Sequence, residues 1–336
     1  MTKSKLILFG GNRLNEDGPL LPFAKEAAAN GVDVLIVTER WHLDMKTANG
    51  ESLSQRLEFE GLAYRELEAL SANSLAEDAP PDAWGLMVNC LWIVKKDIID
   101  LFGGRLFNYH NARLPEERGA AAYSWRILSG ITDGSLTIHH VTENLDDGDI
   151  LLARDISFPE SCQTPAAHYQ FMAPLETEIF GEFLDVMLSG EYPDLKPQDE
   201  SLSRYWPRLK TDVHGYIDWQ WSADAVCRFI RAFDDPFTGA MTFWQDTRLH
   251  LKGASIDPGA DNFHPFQAGM VFRKSEEGLN IAVPGGAVIV TNVTDDDSQS
   301  LYDRIPLGTR LYTPNENLNA ARATRAIQRH NRIDTK

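Results

Sequence analysis

Three consecutive stretches set the fold: Leu6-Ile7-Leu8-Phe9-Gly10-Gly11, then Leu20-Leu21-Pro22-Phe23-Ala24-Lys25-Glu26-Ala27-Ala28-Ala29-Asn30-Gly31, then Val32-Asp33-Val34-Leu35-Ile36-Val37. A short apolar run stopped by two glycines reads as a buried strand. The alanine-rich stretch reads as a helix from Leu20 to Asn30, with Gly31 where a helix end favours a left-handed residue. A second apolar run follows at once. Further strands are expected at Leu86–Val88, Arg105–Tyr109 and Leu136–Val141, with a helix over Ala120–Ser129. Strands separated by helices predict an α/β chain with a mostly parallel, doubly wound sheet and helices on both faces. Gly10-Gly11-Asn12 lacks the spacing of a phosphate-cradling loop and reads as a plain turn.

Thr164-Pro165 opens a longer helix, with threonine as cap and proline at the first helical position. It runs to about Leu188, before Gly190. Glu191 to Pro207 is rich in proline and polar residues and reads as a linker. The next segment changes character. Ser222 caps a helix with Val226, Phe229, Ile230 and Phe233 on one face. Short β-type runs follow at Ala240–Trp244, Leu249–Leu251, Gly269–Phe272, Leu279–Val283 and Ala287–Val290. They predict a small β-barrel or sandwich with one helix. The expected layout is a catalytic domain over 1–195, a linker over 196–209, a β-rich domain over 210–315 and a helical or frayed tail over 316–336.

The 336 residues carry a formal net charge of -17, from 32 basic and 49 acidic side chains. That balance opposes docking on a polyanion, which needs a positive surface to displace counterions. No nucleic-acid partner is therefore expected. Cys90, Cys162 and Cys227 show no metal spacing and fit reduced thiols. The first apolar run is a strand rather than a signal peptide, and no stretch is long enough to span a bilayer. The reading is a soluble, cytoplasmic protein with no membrane partner.

The chemistry concentrates in two segments. Phe107-Asn108-Tyr109-His110-Asn111-Ala112-Arg113-Leu114-Pro115-Glu116-Glu117-Arg118-Gly119 places Asn108 and His110 on one face at a strand end. Open α/β sheets place ligands there. His139-His140-Val141-Thr142-Glu143-Asn144-Leu145-Asp146-Asp147-Gly148-Asp149 ends a strand in an acidic turn that reverses into another. An amide, an imidazole and a carboxylate suit attack of an amine on an activated acyl carbon. Asn108 and His110 would donate to the oxyanion, and Asp146 would stabilise the imidazolium and help move protons. No covalent relay is required. His139 and His140 are adjacent on a strand and face opposite sides, so they do not share one metal ion. No metal is expected.

At these residues the chain resembles the folate-dependent formyltransferases, which share an Asn-x-His motif, a Leu-Pro-x-x-Arg-Gly loop and a later Leu-Asp-x-Gly-Asp turn. All three stand here, at Asn108–His110, Leu114–Gly119 and Leu145–Asp149. The resemblance implies a Rossmann-like catalytic domain, N10-formyltetrahydrofolate as co-substrate and Asn108, His110 and Asp146 as the catalytic set. It implies a folate pocket at Leu91, Trp92 and Ile93 and at Val141, Thr142, Asn144 and Asp146. Gly215-Tyr216-Ile217-Asp218-Trp219, Ile230-Arg231-Ala232-Phe233 and Pro236-Phe237-Thr238-Gly239-Ala240 look like the OB-like second domain of methionyl-tRNA and sugar formyltransferases. Homodimerisation follows from the resemblance alone. Ala112 and Arg113 depart from the apolar pair usual before Leu-Pro, which makes Arg113 a candidate substrate contact.

The acidic charge and the absence of a basic insertion near the loops favour an amino-sugar acceptor, nucleotide-linked, as in surface polysaccharide assembly. Methionyl-tRNA formylation fits the two-domain layout equally. Hydrolysis of the formyl folate and a scaffold with a decayed site are the remaining readings. Asp295-Asp296-Asp297 reads as a solvated turn. Trp206, Trp219, Trp221 and Trp244 read as core and interdomain packing, with an aromatic binding surface as the alternative.

Overall fold

Alternating apolar residues build a seven-stranded sheet. The structure, a computed structural model, describes all residues except 1–3, 12–17, 48, 193, 330 and 331. Strands β1 (Lys5–Gly10), β2 (Asp33–Thr38), β3 (Tyr64–Glu66), β4 (Trp84–Val88) and β5 (Leu106–His110) are parallel, in the order β3-β2-β1-β4-β5. A short strand, β6 (Arg118–Gly119), stands outside this sheet. β7 (Asp133–His140) then runs antiparallel to β5, and β8 (Ile150–Ser157) antiparallel to β7. The sheet is thus mostly parallel, as expected. β3 has only three residues and no apolar alternation, which is why the sequence did not mark it.

Period two decides what each face carries. Leu6, Leu8, Leu86, Val88, Phe107 and Tyr109 point to one side and pack under α1 (Leu20–Ala29). Ile7, Phe9, Met87 and Leu106 point to the other. Short helices α2 (Arg40–Asp44), α3 (Leu53–Phe59), α4 (Ala72–Leu75) and α5 (Lys96–Leu101) fill the connections. α6 (Ala122–Ser129) follows β6, and α7 (Pro165–Ser189) covers the same face as α1. Phe23 of α1 stacks on Phe180 of α7 with centroids 4.2 Å apart. Each expected cap is present: Gly31 at φ +79, Thr164 accepting from the Ala167 amide, and Gly190 at φ +74. Gly10, at φ +115, lies where a Cβ would stand 2.1 Å from the Val88 carbonyl oxygen. It lets two strand ends approach closely. Asn12 of the expected turn lies outside the described residues.

The second core is separate. After β9 (Tyr205–Trp206) and α8 (Thr211–His214), α9 (Ala223–Ala232) buries Val226, Phe229, Ile230 and Phe233. Ser222 caps it, accepting from the Ala225 amide. β10 (Ala240–Trp244), β11 (Thr247–Ile256), β12 (Val271–Ser275), β13 (Gly278–Val283) and β14 (Gly286–Thr294) form an antiparallel sheet in the order β10-β11-β14-β13-β12. The chain near residues 309–312 bridges both edges, pairing Tyr312 with Phe243 and Arg310 with Met270. The result is a small closed barrel.

The linker and the tail carry more structure than their sequence pattern shows. Glu191 to Pro207 is not a passive tether: β9 pairs with β6, and Lys196 bridges Ile150. The tail is not simply helical or frayed. α10 (Asn315–Ala323) is followed by a hairpin of β15 (Ala326–Arg329) and β16 (Arg332–Thr335). Ala326 bridges Arg208, and His214 Nε2 donates to the Thr324 carbonyl at 3.2 Å. These backbone partners hold the tail against the linker, which the sequence pattern alone did not reveal. Residues 330 and 331 of the expected tail lie outside the described residues.

Candidate active site

Asn108 and His110 share one face of β5, while Phe107 and Tyr109 are buried on the other. Tyr109 Oη donates to the buried carboxylate of Glu176 at 2.7 Å, which fixes the strand's rotation. β7 lies beside it with His139 opposite Asn108. The acidic turn after β7 folds back, bringing Asp146 4.0 Å from His110 Nε2 and 3.7 Å from His139 Nε2. The three expected catalytic side chains therefore converge, with His139 as a fourth member.

The hydrogen bonds assign His139 one tautomer. Its Nδ1 lies 2.8 Å from the His140 carbonyl oxygen, which only accepts, so Nδ1 carries the proton. Complete burial holds its pKa down at about 4, the nearby Asp146 carboxylate offsetting only part of that cost. The ring is neutral at physiological pH, and Nε2 is a bare acceptor. Asn108 Nδ2 donates to it at 3.1 Å. One amide hydrogen of Asn108 is thus committed and one is left for other work. His140 faces the other side, against Phe107, Gly104 and Tyr192.

His110 is 9% exposed, and its Nε2 donates to the Glu117 carbonyl at 3.0 Å. The loop supplying that carbonyl is braced from beneath. Glu117 is itself buried and pairs with Arg126 of α6, which is fully buried. Arg126 also donates to the Asn111 carbonyl at 3.1 Å and lies over the Phe158 ring. The Glu117 carboxylate accepts from the Arg113 amide at 2.9 Å. Arg126 sits among Ala122, Tyr123 and Ile127 on the buried face of α6, a signal available in the sequence and not used.

Asp146 adopts φ +51, and its Oδ2 accepts from the Gly119 amide at 2.9 Å. Its backbone is held by the linker. Gln198 Nε2 donates to the carbonyls of Asp146 at 2.9 Å and Gly148 at 2.7 Å. Gln198 Oε1 accepts from Arg118 Nη2 at 2.7 Å, and Glu200 pairs with the same guanidinium. Gln198 lies in a polar linker with no periodic pattern, so the sequence held no clue to this role.

The expected folate residues fall into two neighbouring segments. Trp92 is buried and packs in the same cluster as Val141. Leu91 is also buried, while Ile93 is 49% and Leu145 55% exposed. Thr142 Oγ1 and Asn144 Nδ2 both donate to the Asp147 carboxylate, the latter at 2.8 Å. Their side chains are spent on holding the turn, which leaves its backbone and apolar edge to meet a ligand. Arg113 is not brought to the triad. Its guanidinium donates to the Gly134 carbonyl and to Asp155, each at 3.2 Å, at the far end of β7.

Other expectations resolve simply. The Asp295 carboxylate accepts from the amides of Asp297 and Gln299, and Asp296 pairs with Arg248 and His250. Trp219 is core, donating to Thr242 Oγ1 at 2.9 Å.

Comparison with known proteins bears on both parts of the chain. Residues 20–183 match the family model described as formyl transferase, and residues 210–302 match that of the formyl transferase C-terminal domain. The methionyl-tRNA formyltransferase of Akkermansia muciniphila is 30% identical over 204 residues, 60% of this chain and 63% of that protein. That of Geobacter sulfurreducens is 29% identical over 226 residues, 65% of this chain and 68% of that protein. The match thus spans a little under two thirds of the Akkermansia relative's length. Among solved structures, an N-formyltransferase from Helicobacter canadensis, in complex with folinic acid and dTDP-3-aminofucose, superposes with TM-score 0.63 at 16% identity. It covers 86% of this chain and 99% of that one. The methionyl-tRNA formyltransferase from Clostridium thermocellum superposes with TM-score 0.53 at 18% identity, covering 76% and 95%. With its N-terminal and C-terminal family matches falling on the two cores in order, the chain belongs to the formyltransferase family.

Proposed function

We propose that the protein transfers a formyl group from N10-formyltetrahydrofolate to the primary amine of an amino sugar, nucleotide-linked. The observation that carries the transfer chemistry is the convergence of Asn108, His110 and Asp146, with His139 fixing the Asn108 amide. The acceptor nitrogen attacks the formyl carbon, a new C–N bond forms, and the bond from that carbon to N10 breaks. An acceptor ammonium first gives one proton to solvent; the neutral amine then attacks, and the second proton it loses ends on the leaving N10. Asn108 offers its second amide hydrogen to the oxyanion. His110 donates there as imidazolium, and Asp146 stabilises that charge and helps pass the proton. The exposed edges of Ile93 and Leu145 and the backbone of the acidic turn suit a flat, hydrogen-bonding ring system.

The net charge of -17 supports a small acceptor over a polyanion. So does the nearly complete coverage of the Helicobacter canadensis sugar-bound enzyme. Methionyl-tRNA formylation is the second reading, favoured by the sequence relatives. The test incubates the enzyme with formyl-tetrahydrofolate and amino sugars, charged tRNA or water alone, and follows tetrahydrofolate release. Release dependent on an amino sugar is expected. Release without any amine would overturn transfer, and release only with charged tRNA would overturn the sugar acceptor.

A further inference from the structure

A cavity of about 820 Å³ lies between α6, the linker, α9 and the C-terminal tail. None of Asn108, His110 or Asp146 lines it. Its walls are aromatic: Trp125, Tyr205, Tyr216, Trp221 and Phe229 all contribute. Two of these are fixed. Trp125 Nε1 donates to the Pro207 carbonyl at 2.7 Å, and Trp221 packs edge-on against Phe229 with centroids 5.0 Å apart. Rigid aromatic walls lose little freedom when a flat ring is inserted between them.

The charge of the cavity runs against that of the molecule. Arg208, Arg322 and Arg325 line it, and among the described residues no aspartate or glutamate does, in a chain of net -17. Arg322 pairs with Asp218 at 2.8 Å yet stays 57% exposed, and Arg325 is exposed. Guanidinium groups bind phosphate and carboxylate through paired hydrogen bonds and also stack on flat rings. Pockets of roughly 300–1,000 Å³ hold ligands of mononucleotide size. Tyr205, which lines the cavity, belongs to β9, whose pairing partner β6 includes Gly119, the residue that holds the Asp146 carboxylate.

We propose that this cavity is a second small-molecule site, taking a planar aromatic ring that carries an anionic group. A nucleoside phosphate and the aminobenzoyl-glutamate end of a folate share that chemistry. The site is distinct from the triad and stands whether or not the acceptor is a sugar.

The experiment titrates nucleoside 5′-diphosphates and p-aminobenzoylglutamate, separately, into the full chain, read by tryptophan fluorescence and calorimetry. The two arms identify the source of the ring and anion. Saturable binding of at least one probe is expected. It should be about tenfold weaker in the double variant Arg322→Ala, Arg325→Ala, the size of one lost charge-assisted contact. Ala225→Phe, which fills the cavity from α9, should weaken it as well. Asp146→Ala should leave it unchanged. Failure of both probes to saturate overturns the proposal. So does binding that is equal in the arginine variant. Binding lost in Asp146→Ala and retained in the arginine variant would place the probe at the transfer site, overturning the second site while leaving formyl transfer intact.

Discussion

At the scale of single residues, the site is a set of hydrogen-bond assignments that leave few choices. His139 Nδ1 must donate to a carbonyl, so Nε2 must accept, so the Asn108 amide nitrogen faces it. Asn108→Ala, His110→Ala and Asp146→Ala are each expected to cut turnover by about 10²–10³, with unchanged circular dichroism. His139→Ala should act indirectly. It frees the Asn108 side chain, so kcat falls by about tenfold while KM for the formyl donor holds, since no group that meets the donor is removed. His139→Gln, which can offer an amide oxygen in place of Nε2, should recover part of the loss. A KM effect equal to the kcat effect in His139→Ala would contradict a positioning role. Asn108, His110 and Asp146 were legible in the sequence because their motifs are local. Their fixed orientation was not, because it depends on a neighbour 31 residues away.

At the scale of elements, the linker decides how the acidic turn is held. β9 pairs with β6 and places the Trp206 carbonyl against Gly119. Gly119 has φ +113, and a Cβ there would stand 2.2 Å from that oxygen. Gly119→Ala therefore adds both left-handed strain and a clash. It is expected to destabilise the protein by about 1–3 kcal/mol and to lower kcat, because the Gly119 amide holds the Asp146 carboxylate. Thermal melting and steady-state kinetics on the same preparation test this; a wild-type kcat would separate the strap from the chemistry. The helix caps and glycine stops were readable from sequence, since capping is a local hydrogen-bond rule. The β6–β9 pairing was not, since two-residue strands carry no periodicity.

At the scale of the whole molecule, burial sets an acid limit. His42, His139 and His168 all have pKa values held down at about 4 from an ordinary 6.5, in each case chiefly by burial. The unfolded chain takes up these protons first as pH falls. Stability from their neutral burial is therefore complete above about pH 6.5 and lost as pH falls towards 4. The urea midpoint should drop over that window, and His168→Gln, remote from the triad, should flatten the drop. A midpoint constant from pH 7 to about pH 4.5 would contradict the burial of these rings in neutral form. The sequence by itself determined the alternating strand–helix order, the one face carrying Asn108 and His110, and the acidic balance opposing polyanions. Each depends on period, composition or nearest neighbours. Only the tertiary structure decided that Arg113 meets Asp155, that Gln198 grips the acidic turn, and that the tail closes an arginine-rimmed aromatic cavity. Those outcomes depend on which distant groups meet, and a long polar side chain goes to whichever partner packing brings within reach.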